Sequence, residues 1–123
     1  MTWSLDARIP LRLLSPPHLE AALQGAPATA LLVEGVGLEQ IAAPAVFQMP
    51  FLPGEQTHKV DCSCCAGRGA VAEALDRMFQ ARIRGRCAWF DQVIGVIGTV
   101  EAQREVLGAL DQDPLARARF RLV

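Results

Sequence analysis

The 123-residue chain has no asparagine and no tyrosine, and its one lysine, Lys59, stands against eleven arginines. Each absence excludes chemistry. A phosphate-binding P-loop carries its lysine after a glycine-rich loop, whereas Lys59 follows His58. An excess of positive charge is missing as well. The formal net charge is −1, so the chain as a whole has no basic footprint for nucleic acid or an anionic membrane. No apolar run approaches the roughly 20 residues that cross a bilayer. The longest, around Val93–Val100, is interrupted by Gly95 and Gly98. The first residues, Met1 to Arg8, show no basic segment leading into an apolar one, as a secretory signal would. Together these absences predict a cytoplasmic protein with no nucleic-acid or membrane partner.

What is present suits one globular domain over residues 1–123: apolar residues make up 51% and charged residues 20%, enough to build a core at this length. The pattern reads as strands alternating with helices. Ile9–Leu14 is a short strand, and Pro10 suits its start or a sheet edge. Ser15-Pro16-Pro17 breaks it and opens a helix over His18–Gln24, since proline is tolerated in a first helical turn. Ala30–Val33 is a buried strand ending at Glu34-Gly35. Leu38–Ala43 has room for one helical turn between prolines, and Val46–Met49 for a short strand. Val71, Leu75, Met78, Phe79 and Ile83 recur at helical spacing, so Ala70–Arg84 is an amphipathic helix stopped by Gly85. Trp89–Ile94 reads as a strand, with Trp89 and Trp3 in or against the core. Thr99 caps a helix that Asp113-Pro114 ends, and Phe120–Val123 is a last strand. Arg117, Arg119 and Arg121 alternate as a solvated basic face. Strands alternating with helices predict an α/β fold, a small three-layer domain with a largely parallel sheet.

Cys62-Ser63-Cys64-Cys65 is the constellation with obvious chemistry. Adjacent residues point to opposite faces of a strand, so Cys64 and Cys65 share a metal only on irregular backbone. Ser63, Ala66, Gly67 and Gly69 permit such a loop. The helix from Ala70 places a partial positive charge nearby, which favours thiolates. Three thiolates suit zinc or copper(I) better than magnesium or calcium, and His58, four residues before Cys62, completes a tetrahedral Cys₃His set. Two other readings compete: inert buried cysteines, and a redox dithiol, although the thioredoxin-like two-residue gap is absent. Cys87, alone before Trp89, reads as a packing residue. His18 reads as a polar residue in a first helical turn.

Asp61-Cys62-Ser63-Cys64-Cys65, the following helix, Phe90-Asp91-Gln92-Val93-Ile94, Asp113-Pro114 and Arg119-Phe120-Arg121-Leu122 together resemble the CobW-like P-loop GTPases, a family implicated in metal delivery. Those proteins carry a C-x-C-C metal motif, a helix, an F-D-x-V-I strand ending in E-T-T-G, a helix ending in D-P, and a strand beginning R-L-D. The ordered resemblance spans residues 30–123, with C-x-C-C its most specific part. The first third fits with a cut: Leu11–Leu14 passes through Ser15-Pro16-Pro17 straight into a helix, without a Gly-rich loop. Val33-Glu34 stands where the family has N-E. Gly95-Val96-Ile97-Gly98 replaces E-T-T-G, and N-K-x-D needs an asparagine that this chain lacks.

GTP hydrolysis needs a backbone cradle, a lysine and a magnesium-holding hydroxyl around the phosphates. The sequence offers none in place, so the expectation is a reduced, non-catalytic relative of the P-loop fold that binds no nucleotide. The expectation is one metal ion, zinc by the resemblance and by thiolate chemistry, on Cys62, Cys64 and Cys65, with His58 as first choice of fourth ligand, Glu34, which tops its strand, as second or as a supporting group, and a water or partner group as third. The competing expectation is an interaction or oligomerisation module whose cysteines are vestigial. The family extends its sheet beyond R-L-D. A homodimer, or a complex with another protein chain, is therefore expected at an edge near Val93-Ile94 and Leu122-Val123.

Overall fold

A computed structural model describes residues 7–35, 47–53 and 69–123. Among them five strands, all parallel, form one sheet: β1 (Ile9–Leu14), β2 (Thr29–Glu34), β3 (Phe47–Phe51), β4 (Gln92–Val96) and β5 (Phe120–Leu122), in the order β3-β2-β4-β1-β5. After β1 a single 3₁₀ turn, Pro16–His18, leads into α1 (Leu19–Leu23). The chain between β3 and β4 includes α2 (Ala70–Ile83), and α3 (Val100–Gln112) with α4 (Pro114–Arg119) joins β4 to β5. The fold is α/β with helices on both faces, as the alternation of elements predicts.

The layers follow from which side of each strand is apolar. One face carries Leu31, Val33, Ile94 and Val96 and is covered by Leu19 and Leu23 of α1. The other carries Leu11, Ala30, Leu32 and Val93 and is covered by Val71, Leu75 and Met78 of α2, Ala102 and Val106 of α3, and Ala116 of α4. Strands covered twice read as continuous apolar runs, which is why Ala30-Leu31-Leu32-Val33 is buried throughout. Gly95 serves the same seam by having no side chain. A Cβ there would stand 2.7 Å from Leu13 Cδ2, so its absence admits Leu13 of the neighbouring strand.

Several expectations need correcting. Val93-Ile94 does not lie near an edge: β4 pairs with β2 on one side and β1 on the other, and both residues are fully buried. Among the described residues the two edges are β3 and β5, and Leu122 and Val123 are exposed at the second. The strand expected from Trp89 begins at Gln92. Trp89 is 56% exposed rather than in the core, because its ring is stacked on a guanidinium at the surface. Asp113 ends α3 as expected, yet it also starts α4, its Oδ2 accepting from Ala116 N (3.0 Å) with Pro114 in the first turn. Arg119 is not part of a free basic face. It pairs with Asp76 at 2.6 Å and lies 4.2 Å from the Phe79 ring centre. Pro50 falls inside β3, where a missing N–H is tolerated at an edge. The expected turn at Leu38–Ala43 and Trp3 lie outside the described residues. Among the described residues no helix is long and apolar enough to cross a membrane.

Candidate functional site

In a parallel sheet covered on both faces, all strand ends of one kind gather at one edge, and clefts open where neighbouring strands send their connections to opposite faces. Strands β1 and β4 meet that condition: β1 leads to α1 on one face and β4 to α3 on the other. A cleft of about 330 Å³ lies at their carboxyl ends, lined by Leu13, Leu14, Ser15, Ile97, Gly98, Thr99, Val100 and Gln103.

The neighbouring boundary, between β4 and β2, is closed by Glu34. As the last residue of β2, it reaches across to the loop that begins α3. Its Oε1 accepts from Gly98 N (2.7 Å) and Thr99 N (3.2 Å), and its Oε2 accepts from Thr99 Oγ1 (2.7 Å). Thr99 also caps α3, its Oγ1 accepting from Ala102 N at 3.1 Å. The carboxylate thus satisfies donors that a helix start leaves open, at the positive end of the α3 dipole. Partial burial pushes the Glu34 pKa up. The bonds from Gly98 N, the Thr99 hydroxyl and Thr99 N together outweigh it, so the carboxyl is held below its ordinary value.

Glu34 is the one member of the expected metal set within the described residues; His58, Cys62, Cys64 and Cys65 lie outside them. On the near side of this stretch, the end of β3 stands at the same edge as Glu34. Phe51, at the end of β3, is in register with Glu34 and accepts from Gly35 N (2.7 Å). Gly69 opens α2, and a Cβ on it would come within 2.8 Å of Glu105 on α3. Among the described residues no group of three or more histidine, cysteine, aspartate or glutamate side chains is placed to hold a metal ion. Cys87 is half-buried against the core; burial pushes its thiol pKa up, and Arg82 opposes this more weakly. An elevated pKa leaves little thiolate for redox chemistry.

The β1 end is poor in backbone donors. Four residues, Ser15 to His18, connect β1 to α1, and two of them are prolines without an N–H. His18 N donates to Ser15 O (3.0 Å), and Ser15 Oγ and His18 Nδ1 lie 2.8 Å apart. Sequence reading missed the clamp that Glu34 makes with Thr99. The signal was a capping threonine beside a strand-end glutamate, but the contact joins residues 65 positions apart. No family model, curated protein or solved structure matches the chain.

Proposed function

We propose that this protein is a non-catalytic metal-binding accessory of CobW-like descent that holds one zinc ion through Cys62, Cys64 and Cys65 and processes no nucleotide. The observation that carries this reading is the C-x-C-C motif itself, which follows β3 and precedes α2 in the sequence. The donor set fits a soft, four-coordinate ion. The positive end of α2, a few residues beyond Cys65, favours the thiolates that zinc requires. His58 is favoured as the fourth ligand over Glu34, because both Glu34 oxygens already accept hydrogen bonds and suit a supporting role. The absence of nucleotide chemistry is supported by Pro16 and Pro17 at the end of β1, where a phosphate cradle would need N–H groups. A cytoplasmic, reducing setting would keep such thiols free.

The test is the zinc content of protein purified without added metal, followed by titration of the metal-free form. Cys64→Ala should abolish tight binding and His58→Ala should only weaken it, with the helical circular dichroism retained in both. An unchanged zinc affinity in the triple cysteine-to-alanine variant sinks the reading.

A self-association or partner contact along β5 belongs to the same proposal. Among the described residues β5 pairs with β1 alone, and Leu122 (50%) and Val123 (60%) are exposed beside its open edge. A second copy or another chain extending the sheet would cover them. Light scattering at high micromolar concentration checks the homodimer, and a purely monomeric profile removes it.

A further inference from the structure

The end of the sheet opposite Glu34 carries a surface that the zinc reading does not use. Helix α2 stops in a tight turn: Arg84 N donates to Gln80 O (3.0 Å), Arg86 N donates to Ala81 O (2.9 Å), and Gly85 takes the left-handed conformation (φ +70°) such a stop favours. The turn folds the chain back so that Trp89 lies over Arg82, with the guanidinium carbon 3.6 Å from the ring centre. Arg82 is itself fixed, its Nε donating to Phe90 O (2.8 Å), and Phe90 is wholly buried. A rigid base therefore presents an outward face. Trp89 is 56% exposed, Ile83 is 52% exposed, and Arg84 and Arg86 are both exposed.

Two properties of this face point to a partner. Tryptophan is ordinarily well buried, and here the guanidinium supports the indole without covering it. Tryptophan and arginine are also the residue types that dominate binding hot spots. The charge is equally one-sided. Over residues 82–91 three arginines meet one carboxylate, Asp91, in a chain whose net charge is −1. Asp91 acts electrostatically on Arg82, and among the described residues no ion pair joins Arg84 or Arg86.

We propose that the α2–β4 turn, through Ile83, Arg84, Arg86 and Trp89, is a docking surface for an acidic polypeptide segment that places an apolar side chain between its carboxylates. Trp89 and Ile83 take the apolar side chain, while Arg84 and Arg86 pair with the acidic ones, the usual arrangement of an apolar centre and a charged rim. A polypeptide fits better than single-stranded nucleic acid. Nucleic-acid binders use several stacked aromatics along a positive groove, whereas this face has one aromatic beside an aliphatic side chain. The surface lies about 20 Å from the start of α2, by the rise of a 14-residue helix, and does not rest on the zinc reading.

The probe is a dye-labelled twelve-residue synthetic peptide with glutamates on both sides of a Leu-Phe pair, titrated with the full chain and read by fluorescence anisotropy. Saturable binding that weakens with salt is expected. It should fall about tenfold or more in the Arg84→Glu/Arg86→Glu double variant and in Trp89→Ala, and should persist in Cys64→Ala. The arginines are exposed, so the double variant keeps the fold if Trp89→Ala does not, and circular dichroism checks both. No saturable binding overturns the proposal, as does equal binding by the double variant or by the same peptide with glutamine for glutamate. Tighter binding of a fifteen-nucleotide oligo-dT would overturn it in favour of nucleic acid.

Discussion

The two ends of the sheet each fix one half-buried charged side chain, by opposite means. At the carboxyl end of β2, Glu34 is satisfied by two backbone N–H groups and a hydroxyl at the start of α3. At the far end, Arg82 is satisfied near the end of α2 by a carbonyl and an aromatic ring. Each sign matches its helix terminus, since an anion is favoured where a helix begins and a cation where one ends. The difference lies in what remains. Around Glu34 the partners are internal and the charge is used up as a clamp between β2 and α3. Around Arg82 the neighbours Arg84, Arg86 and Trp89 face outward. One end is thus built to hold its own chain in place, and the other is free to meet something else.

The largest effect should come from between the two ends and erase the contrast. Leu32 is fully buried in β2 and packs against the face covered by α2 and α3. Leu32→Ala removes buried methyl groups from a seam with strands on both sides and should cost about 2–5 kcal/mol. A urea midpoint shifted equally for helical circular dichroism and tryptophan emission would show that both ends answer to one cooperative core.

Glu34→Ala should act at one end only. It removes an acceptor of three bonds and leaves the Gly98 and Thr99 donors to water, for an expected loss of about 1–3 kcal/mol. Thr99 keeps its bond from Ala102 N, so α3 remains capped. Hydrogen exchange should rise at Gly98 and Thr99 while protection at Arg84 and Arg86 stays as it was. Equal loosening at both ends would mean that the clamp is not local.

Much of this was legible in the sequence because periodicity and capping are local signals. The apolar run at Ala30–Val33, the helical spacing from Val71 to Ile83 and the capping role of Thr99 all depend on near neighbours. What was missed depends on distance. Trp89 looked like core because tryptophan usually is, and only Arg82, seven positions earlier in sequence, holds it at the surface. The alternating arginines at 117, 119 and 121 cross a helix–strand boundary, which divides one apparent face between two elements. Strand order is the least local property, so Val93-Ile94 could be read as an edge while lying at the centre. Of the expected metal set, the fold bears on Glu34 alone, through a contact that no spacing rule announces.

Arg82→Lys breaks the other end more gently. An ammonium keeps the charge but not the flat stack on Trp89 or the directed bond to Phe90 O. The expected cost is about 1 kcal/mol. Trp89 emission, read in a Trp3→Phe background, should shift to the red as the ring becomes more hydrated. Zinc affinity should not change, because Arg82 lies near the end of α2 opposite to Gly69, where the helix begins. A change in zinc affinity would join the two ends and remove the contrast drawn between them.

The smallest effect is expected in the pH dependence of stability, and its sign separates the ends. The Glu34 pKa is lowered in the folded protein: burial raises it, but the bonds from Gly98 and Thr99 lower it by more. A group whose folded pKa lies below its unfolded value binds protons more tightly in the unfolded chain. Its contribution is therefore fully present above the unfolded value, about 4.3 for glutamate, and is lost as pH falls through the lower folded value. Other carboxylates titrate in the same window, so the useful quantity is the difference between the parent protein and Glu34→Gln. Glutamine still accepts from backbone N–H groups but carries no charge to lose. Urea midpoints measured from about pH 3 to pH 7 should fall less steeply on acidification in Glu34→Gln than in the parent, and the two profiles should converge at the acid end. Arg82→Lys should retain the parent slope, since the charge at that end does not titrate there. If Glu34→Gln kept the parent slope as well, the carboxylate would not be held by the α3 start in its charged form.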